Sequence, residues 1–103
     1  MVAIQHQVSA FEDKYAYDQD MQFRITARRN ALLGFWAASI MKNSDPQNYA
    51  QELAEMSVVD PSGVSERVSR DFEVAGIDGR DDEIHDRMRD LLRTASVELH
   101  QHL

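Results

Sequence analysis

The chain has no cysteine, so disulfides, thiolate metal ligands and thiol chemistry are excluded, and a reducing compartment fits. Glycine is scarce. The four present, Gly34, Gly63, Gly76 and Gly79, form no G-x-G-x-x-G and no loop able to cradle a phosphate. No apolar run approaches the roughly 18 residues of a membrane span, and Met1-Val-Ala-Ile-Gln-His-Gln7 lacks the basic and apolar regions of a secretory leader. Basic residues are outnumbered 11 to 18, leaving a net charge of −7. That balance argues against nucleic-acid binding, which rests on clustered Lys and Arg. No segment alternates apolar and polar residues with period two, so no sheet is expected. These absences leave a protein expected to be intracellular and monomeric when free. At 103 residues it is long enough to bury a core without staples.

What the chain does have is helical spacing. Its densest stretch runs from Phe23 to Ala38, where the only tryptophan, Trp36, stands with Phe23 and Phe35 beside the only Arg-Arg pair. Ile25, Leu32, Phe35, Trp36 and Ile40 recur at helical intervals, predicting a helix from about Asp18 to Met41. Residues 21–42 hold three arginines and one lysine with no acid, so this helix is expected to lie against acidic neighbours. Asp45 is placed to cap a second helix whose first residue is Pro46, where the missing N–H costs nothing. Tyr49, Leu53 and Met56 form its stripe. Asp60-Pro61-Ser62-Gly63 is expected to repeat that stop and restart. The third helix carries Val64, Val68, Phe72 and Ala75 on one face and should end at Gly76 in a left-handed turn. The fourth shows Ile84, Met88, Leu91, Leu92, Ala95 and Leu99. Its acids come early and its arginines late, as the helix dipole favours. The expected fold is all-α, a compact four-helix bundle over residues 18–103.

Residues 1–17 differ in kind, and a mobile or partly helical segment is expected there. Ser9-Ala-Phe-Glu12 has capping-box spacing, and Ile4, Val8, Phe11 and Tyr15 fall on one helical stripe. Burying four such side chains returns about 6–12 kcal/mol, whereas ordering the backbone that carries them costs roughly 14–28 kcal/mol before hydrogen bonds are counted. An isolated helix of that length is marginal in water. The segment needs a surface to lie on, in this protein or in a partner.

Catalytic and metal-binding constellations are lacking. Asp82-x-x-His85 is half of a bundle metal site, but no second Asp/Glu-x-x-His pair completes it. His6, His100 and His102 have no nucleophile to serve. Gly34, inside the first helix, costs about 1 kcal/mol relative to alanine, and a close helix–helix approach would explain it. Asn30, amid apolar residues, is expected to be packed and hydrogen-bonded. The protein is not expected to be an enzyme.

Phe11-Glu-Asp-Lys-Tyr-Ala-Tyr-Asp18, Phe23-Arg24, Ala27-Arg28-Arg29-Asn30, Leu32-Leu33-Gly34 and Trp36-Ala37-Ala38 together resemble the zeta inhibitory subunit of alphaproteobacterial F-type ATP synthases. Weaker agreement continues at Tyr49-Ala50, at Phe72 with Ala75-Gly76, and at Ile84, Met88 and Leu91-Leu92. The resemblance spans nearly the whole chain. It implies a four-helix bundle with an N-terminal segment that enters a catalytic interface of the synthase head and stops hydrolysis. It also implies a site on the cytoplasmic side, peripheral to the inner membrane through that enzyme and without direct membrane insertion. The partner-binding positions carried over are Phe11, Lys14, Tyr15, Ala16 and Asp18, joined on the stripe by Ile4 and Val8. Arg28, Arg29, Asn30, Gly34 and Trp36 are family-motif positions. No cofactor is expected; some relatives have been linked to weak binding of adenine nucleotide, and no motif here supports or excludes it. One departure stands out: Ile4-Gln-His-Gln-Val-Ser-Ala10 carries no formal charge where family members have a charged stretch around Asp-Arg-Glu. A diverged, weakly inhibitory or non-inhibitory interaction or nucleotide-sensing bundle is the alternative.

Overall fold

The computed structural model describes the backbone of residues 2–101 and the side chains of residues 17–101. Among them stand four helices and no strand: α1 (Val2–Met41), α2 (Pro46–Val59), α3 (Val64–Val74) and α4 (Asp81–Gln101). The all-α bundle expected from spacing is therefore the observed fold. The first helix begins earlier than the spacing placed it, at Val2 and not near Asp18, and Ser9–Glu12 lies inside it and does not start it.

The helix ends follow from local chemistry. Asp45 caps α2, its Oδ1 accepting the Asn48 N–H at 3.1 Å, and Pro46 follows in the first turn. At the end of α3, Gly76 adopts φ 80°. The Ile77 N–H then donates to the Phe72 carbonyl at 2.8 Å and the Gly76 N–H to the Glu73 carbonyl at 3.0 Å. That pairing is the Schellman motif. The same pair of bonds closes α1, from Asn43 N–H to Ala38 O at 2.9 Å and from Lys42 N–H to Ser39 O at 3.2 Å. There the left-handed residue is Lys42, at φ 57°. The junction at residues 60–63 departs from the expected repeat. Asp60 closes α2 with its backbone N–H bonded to Met56 O, and Gly63 opens α3 with no side-chain cap. Gly63 N–H instead bonds Asp60 O at 3.1 Å, and a Cβ on Gly63 would collide with the Asp60 carboxylate.

The core gathers Leu33, Ala37 and Ala38 from α1, Tyr49 and Leu53 from α2, Val64, Val68 and Phe72 from α3, and Ile84 from α4. Gly34 marks the closest approach of α1 and α2, since a Cβ there would sit 2.6 Å from the Ala50 Cα. The small residues Gly34, Ala37 and Ala38 are buried beside Leu33, whereas none of the described aromatics of α1 is fully buried. Trp36 is half-buried and packs on Phe72 at 5.8 Å between ring centroids. Phe35, expected on the core stripe, is instead 42% exposed. The reason is geometric: Phe35 is about 100° around the helix from Gly34, and the face held tight against α2 belongs to Gly34. Ala75 is exposed too, because it is the C-cap of α3 and lies beyond its stripe.

Candidate functional site

The family-motif positions on α1 prove to be joints of the bundle. Arg28 Nε reaches across to Glu98 Oε2 of α4 at 2.8 Å, a contact open to water and therefore worth at most about 1 kcal/mol. Arg29 lies half-buried and donates its Nε–H to Asn30 Oδ1 at 2.9 Å. Burial pushes its guanidinium below the usual arginine pKa, and no ion pair among the described residues offsets the lost solvation. Asn30 is fully buried one turn before Gly34, and its Nδ2 has no hydrogen-bond partner among the described residues. Trp36 carries the Arg87 guanidinium 5.4 Å above its ring, tying α4 to α1 a second time. Of the Arg-Arg pair, Arg28 meets the acid expected beside α1 and Arg29 meets an amide.

Of the proposed partner-binding positions, Asp18 is exposed on α1. The side chains of Ile4, Val8, Phe11, Lys14, Tyr15 and Ala16 lie outside the described residues. From Tyr17 to Asp20 every side chain is exposed, and Met21 is the first that is buried. The bundle's grip on α1 therefore begins at Met21 among the described side chains.

Around that point the surface opens on both sides of α1. Between α1 and α4 lies an open groove of about 590 Å³, with Ile25, Leu92 and Val97 along it and Arg89 and Arg93 at its edge. Between α1 and the end of α2 a second, of about 340 Å³, is lined by Phe23, Thr26, Ser57 and Pro61. Sequence reasoning placed Leu92 on the core stripe of α4; it is 39% exposed and borders the first groove. The physical reason is angular: Leu91 packs against the core and Ala95 is buried, and Leu92 lies about 100° round α4 from Leu91, at the edge of that buried face.

A polar network unforeseen in the sequence joins α2 to α3. Tyr49 donates its hydroxyl to Asp71 Oδ2 at 2.7 Å, and Arg67 reaches Asp71 Oδ2 and Glu52 Oε2, both at 2.8 Å. The Arg67 guanidinium also lies 5.4 Å over the Tyr49 ring. Burial, then the hydrogen bond to Asp71 and its charge, raise the Tyr49 phenol well above its ordinary value. For Arg67 burial acts downward, but the hydrogen bonds to Asp71 and Glu52 outweigh it and the pKa rises. The arrangement is a clamp holding charge in place, beside an open hollow of about 400 Å³ that Met41 and Val74 also line. Its one local signal was the Arg67–Asp71 spacing of four.

Asp82 and His85 are both exposed. Among the described residues no group of three or more His, Cys, Asp or Glu is placed to hold a metal ion, and no helix is long and apolar enough to cross a membrane.

Among curated proteins and among solved structures, nothing matches the chain. A family model does: that of the ATPase inhibitor subunit zeta, over residues 1–98. The match takes in both the leading part of α1 and the bundle with its Arg28–Arg29–Asn30 and Gly34 joints, and the chain belongs to the ATPase inhibitor subunit zeta family.

Proposed function

We propose that the protein is a regulatory subunit that blocks ATP hydrolysis by the F-type ATP synthase, and that it does so by inserting residues 1–17 into a catalytic interface of the enzyme's head. The observation that carries this reading is the family match, which includes the leading segment itself as well as the bundle. The exposure of Tyr17, Asp18 and Asp20 supports it, because these side chains just behind that segment are not buried in the bundle. In this mechanism Ile4, Val8, Phe11 and Tyr15 form the apolar stripe that packs in the crevice, a helix-in-groove mode of recognition. Lys14 and Asp18 set orientation at its edge. Residues 18–103 remain outside as a stop too broad to follow.

The test is hydrolysis by the purified synthase with added full-length protein and with protein lacking residues 1–17. Inhibition by the full chain and none by the shortened one is the expected result. Equal inhibition by both would rule out insertion. Phe11→Ala should weaken inhibition more than a hundredfold, as about 3 kcal/mol lost from a central anchor requires. The rival reading, a ligand-sensing bundle using Arg28, Arg29 and Asn30, draws less support. Arg28 is paired with Glu98 and Arg29 with Asn30.

A further inference from the structure

We infer that the groove between α1 and α4 is a second contact surface for the same enzyme, and that its occupant is an acidic segment at the mouth of the crevice carrying one apolar anchor. The inference rests on the insertion reading and deepens it. Its premise is distance along an unbroken helix. With residues 1–17 of α1 inside a crevice, Gln22 stands about 6 Å and Ile25 about 10 Å beyond Asp18, at 1.5 Å per residue. The groove of about 590 Å³ opens at that level. The rim of the crevice would then lie at the level of this groove.

The chemistry of the groove states what that rim should offer. Its apolar surface is left open to water, Leu92 at 39% and Val97 at 51% exposure, beside Ile25. Along α4, Arg89, Arg93 and Val97 follow one another at intervals of four and so share a face. Arg89 is partly neutralised, 3.3 Å from Asp86 and 3.9 Å from Asp90. Arg93, exposed at the groove's edge, forms no ion pair among the described residues. In a chain of net charge −7 an unpaired arginine over an apolar slot is a local reversal of sign. It fits a partner carboxylate with an aliphatic or aromatic side chain beside it. Charges at the rim of an interface steer encounter and select partners, and here the bundle carries them.

Full-length protein with Arg93→Glu and Val97→Asp, both at exposed positions, tests this against the purified synthase, with Leu92→Ser as a milder variant and Phe11→Asp as the control for insertion. The double variant should need at least tenfold more protein for half-inhibition, and Leu92→Ser a few-fold more. The unaltered protein should lose potency as salt is raised from 50 to 300 mM, and the double variant should lose much less or gain, because screening weakens an attraction in the first and a repulsion in the second. Unchanged potency and salt dependence in the double variant, with Phe11→Asp inactive, would overturn the inference and leave insertion standing. Phe11→Asp inhibiting like the unaltered protein would overturn insertion and the inference with it. A shift of oligomeric state in sedimentation on mutating the groove would assign it to a second copy of the chain and overturn it as well.

Discussion

The two halves of the described part of α1 are built on opposite rules. From Asn30 to Met41 the helix presents small residues to its neighbours, and Gly34, Ala37 and Ala38 let α2 come close enough that Ala50 touches backbone. From Tyr17 to Ile25 it presents larger side chains, Tyr17, Phe23 and Ile25, and the neighbours stand off, leaving grooves on both flanks. The contrast shows that hydrophobicity alone does not decide which part of an amphipathic helix is core, since Leu33 is fully buried and Phe35, two positions on, is exposed. Phe23 and Phe35 are among the most apolar residues of α1 and both are exposed, while Ala37 and Ala38 are buried. On the reading proposed above, the apolar surface left open on α1 and α4 is where the enzyme makes its second contact.

The comparison can be broken most severely at the tight end. Phe72→Ala should cost about 3–5 kcal/mol in urea unfolding, because Phe72 is fully buried and Trp36 would lose the ring it packs on. Gly34→Ala comes next. In an exposed helix that change would gain about 1 kcal/mol; here it should lose about 1–3 kcal/mol, since the methyl meets the backbone of Ala50. A gain would refute the close approach. Tyr49→Phe removes the hydrogen bond to Asp71 and should cost about 1 kcal/mol at neutral pH. The phenol's pKa is raised from 10.0 in the fold, so the folded state holds its proton more tightly than the unfolded chain. The resulting stability is complete below pH 10 and is lost as pH climbs beyond it. Urea midpoints measured from pH 8 to 11 should fall for the unaltered protein and fall less for Tyr49→Phe. Lys42→Gly should raise stability by up to about 1 kcal/mol, since glycine occupies φ 57° without the Cβ penalty. At the open end, Val97→Ser should change stability by less than about 0.5 kcal/mol, in keeping with a surface the fold itself does not need.

Local chemistry was legible in the chain. Asp45-Pro46 announced a helix start, Gly76 a left-handed stop, Gly34 a close approach, and the Val64–Val68–Phe72 stripe a buried face; all four stand in the structure. What could not be read depends on partners distant in sequence. Tyr49 meets Asp71 across 22 positions and Arg28 meets Glu98 across 70, and no periodicity encodes either pair. Phe35 and Leu92 were misplaced because a helical stripe gives a direction but not the extent of what covers it. Lys42 was hidden for another reason: its residue type gives no hint of a left-handed backbone, which only the Schellman bonds around it reveal. The partner-binding stripe at Ile4, Val8, Phe11 and Tyr15 was legible as a pattern, and its side chains lie outside the described residues.

Gly34 has one more effect, exerted through Ala50. The atoms that would obstruct a side chain at position 34 belong to the main chain of α2, so accommodation there cannot come from a rotamer change. It has to come from lifting α2 bodily. Tyr49 is the next residue along, and its 2.7 Å bond to Asp71 is among the bridges from α2 to α3. A single hydrogen atom in place of a methyl thus serves as the spacer gauge for the molecule, and an error at that gauge would surface two helices away, as a phenol drawn off its carboxylate.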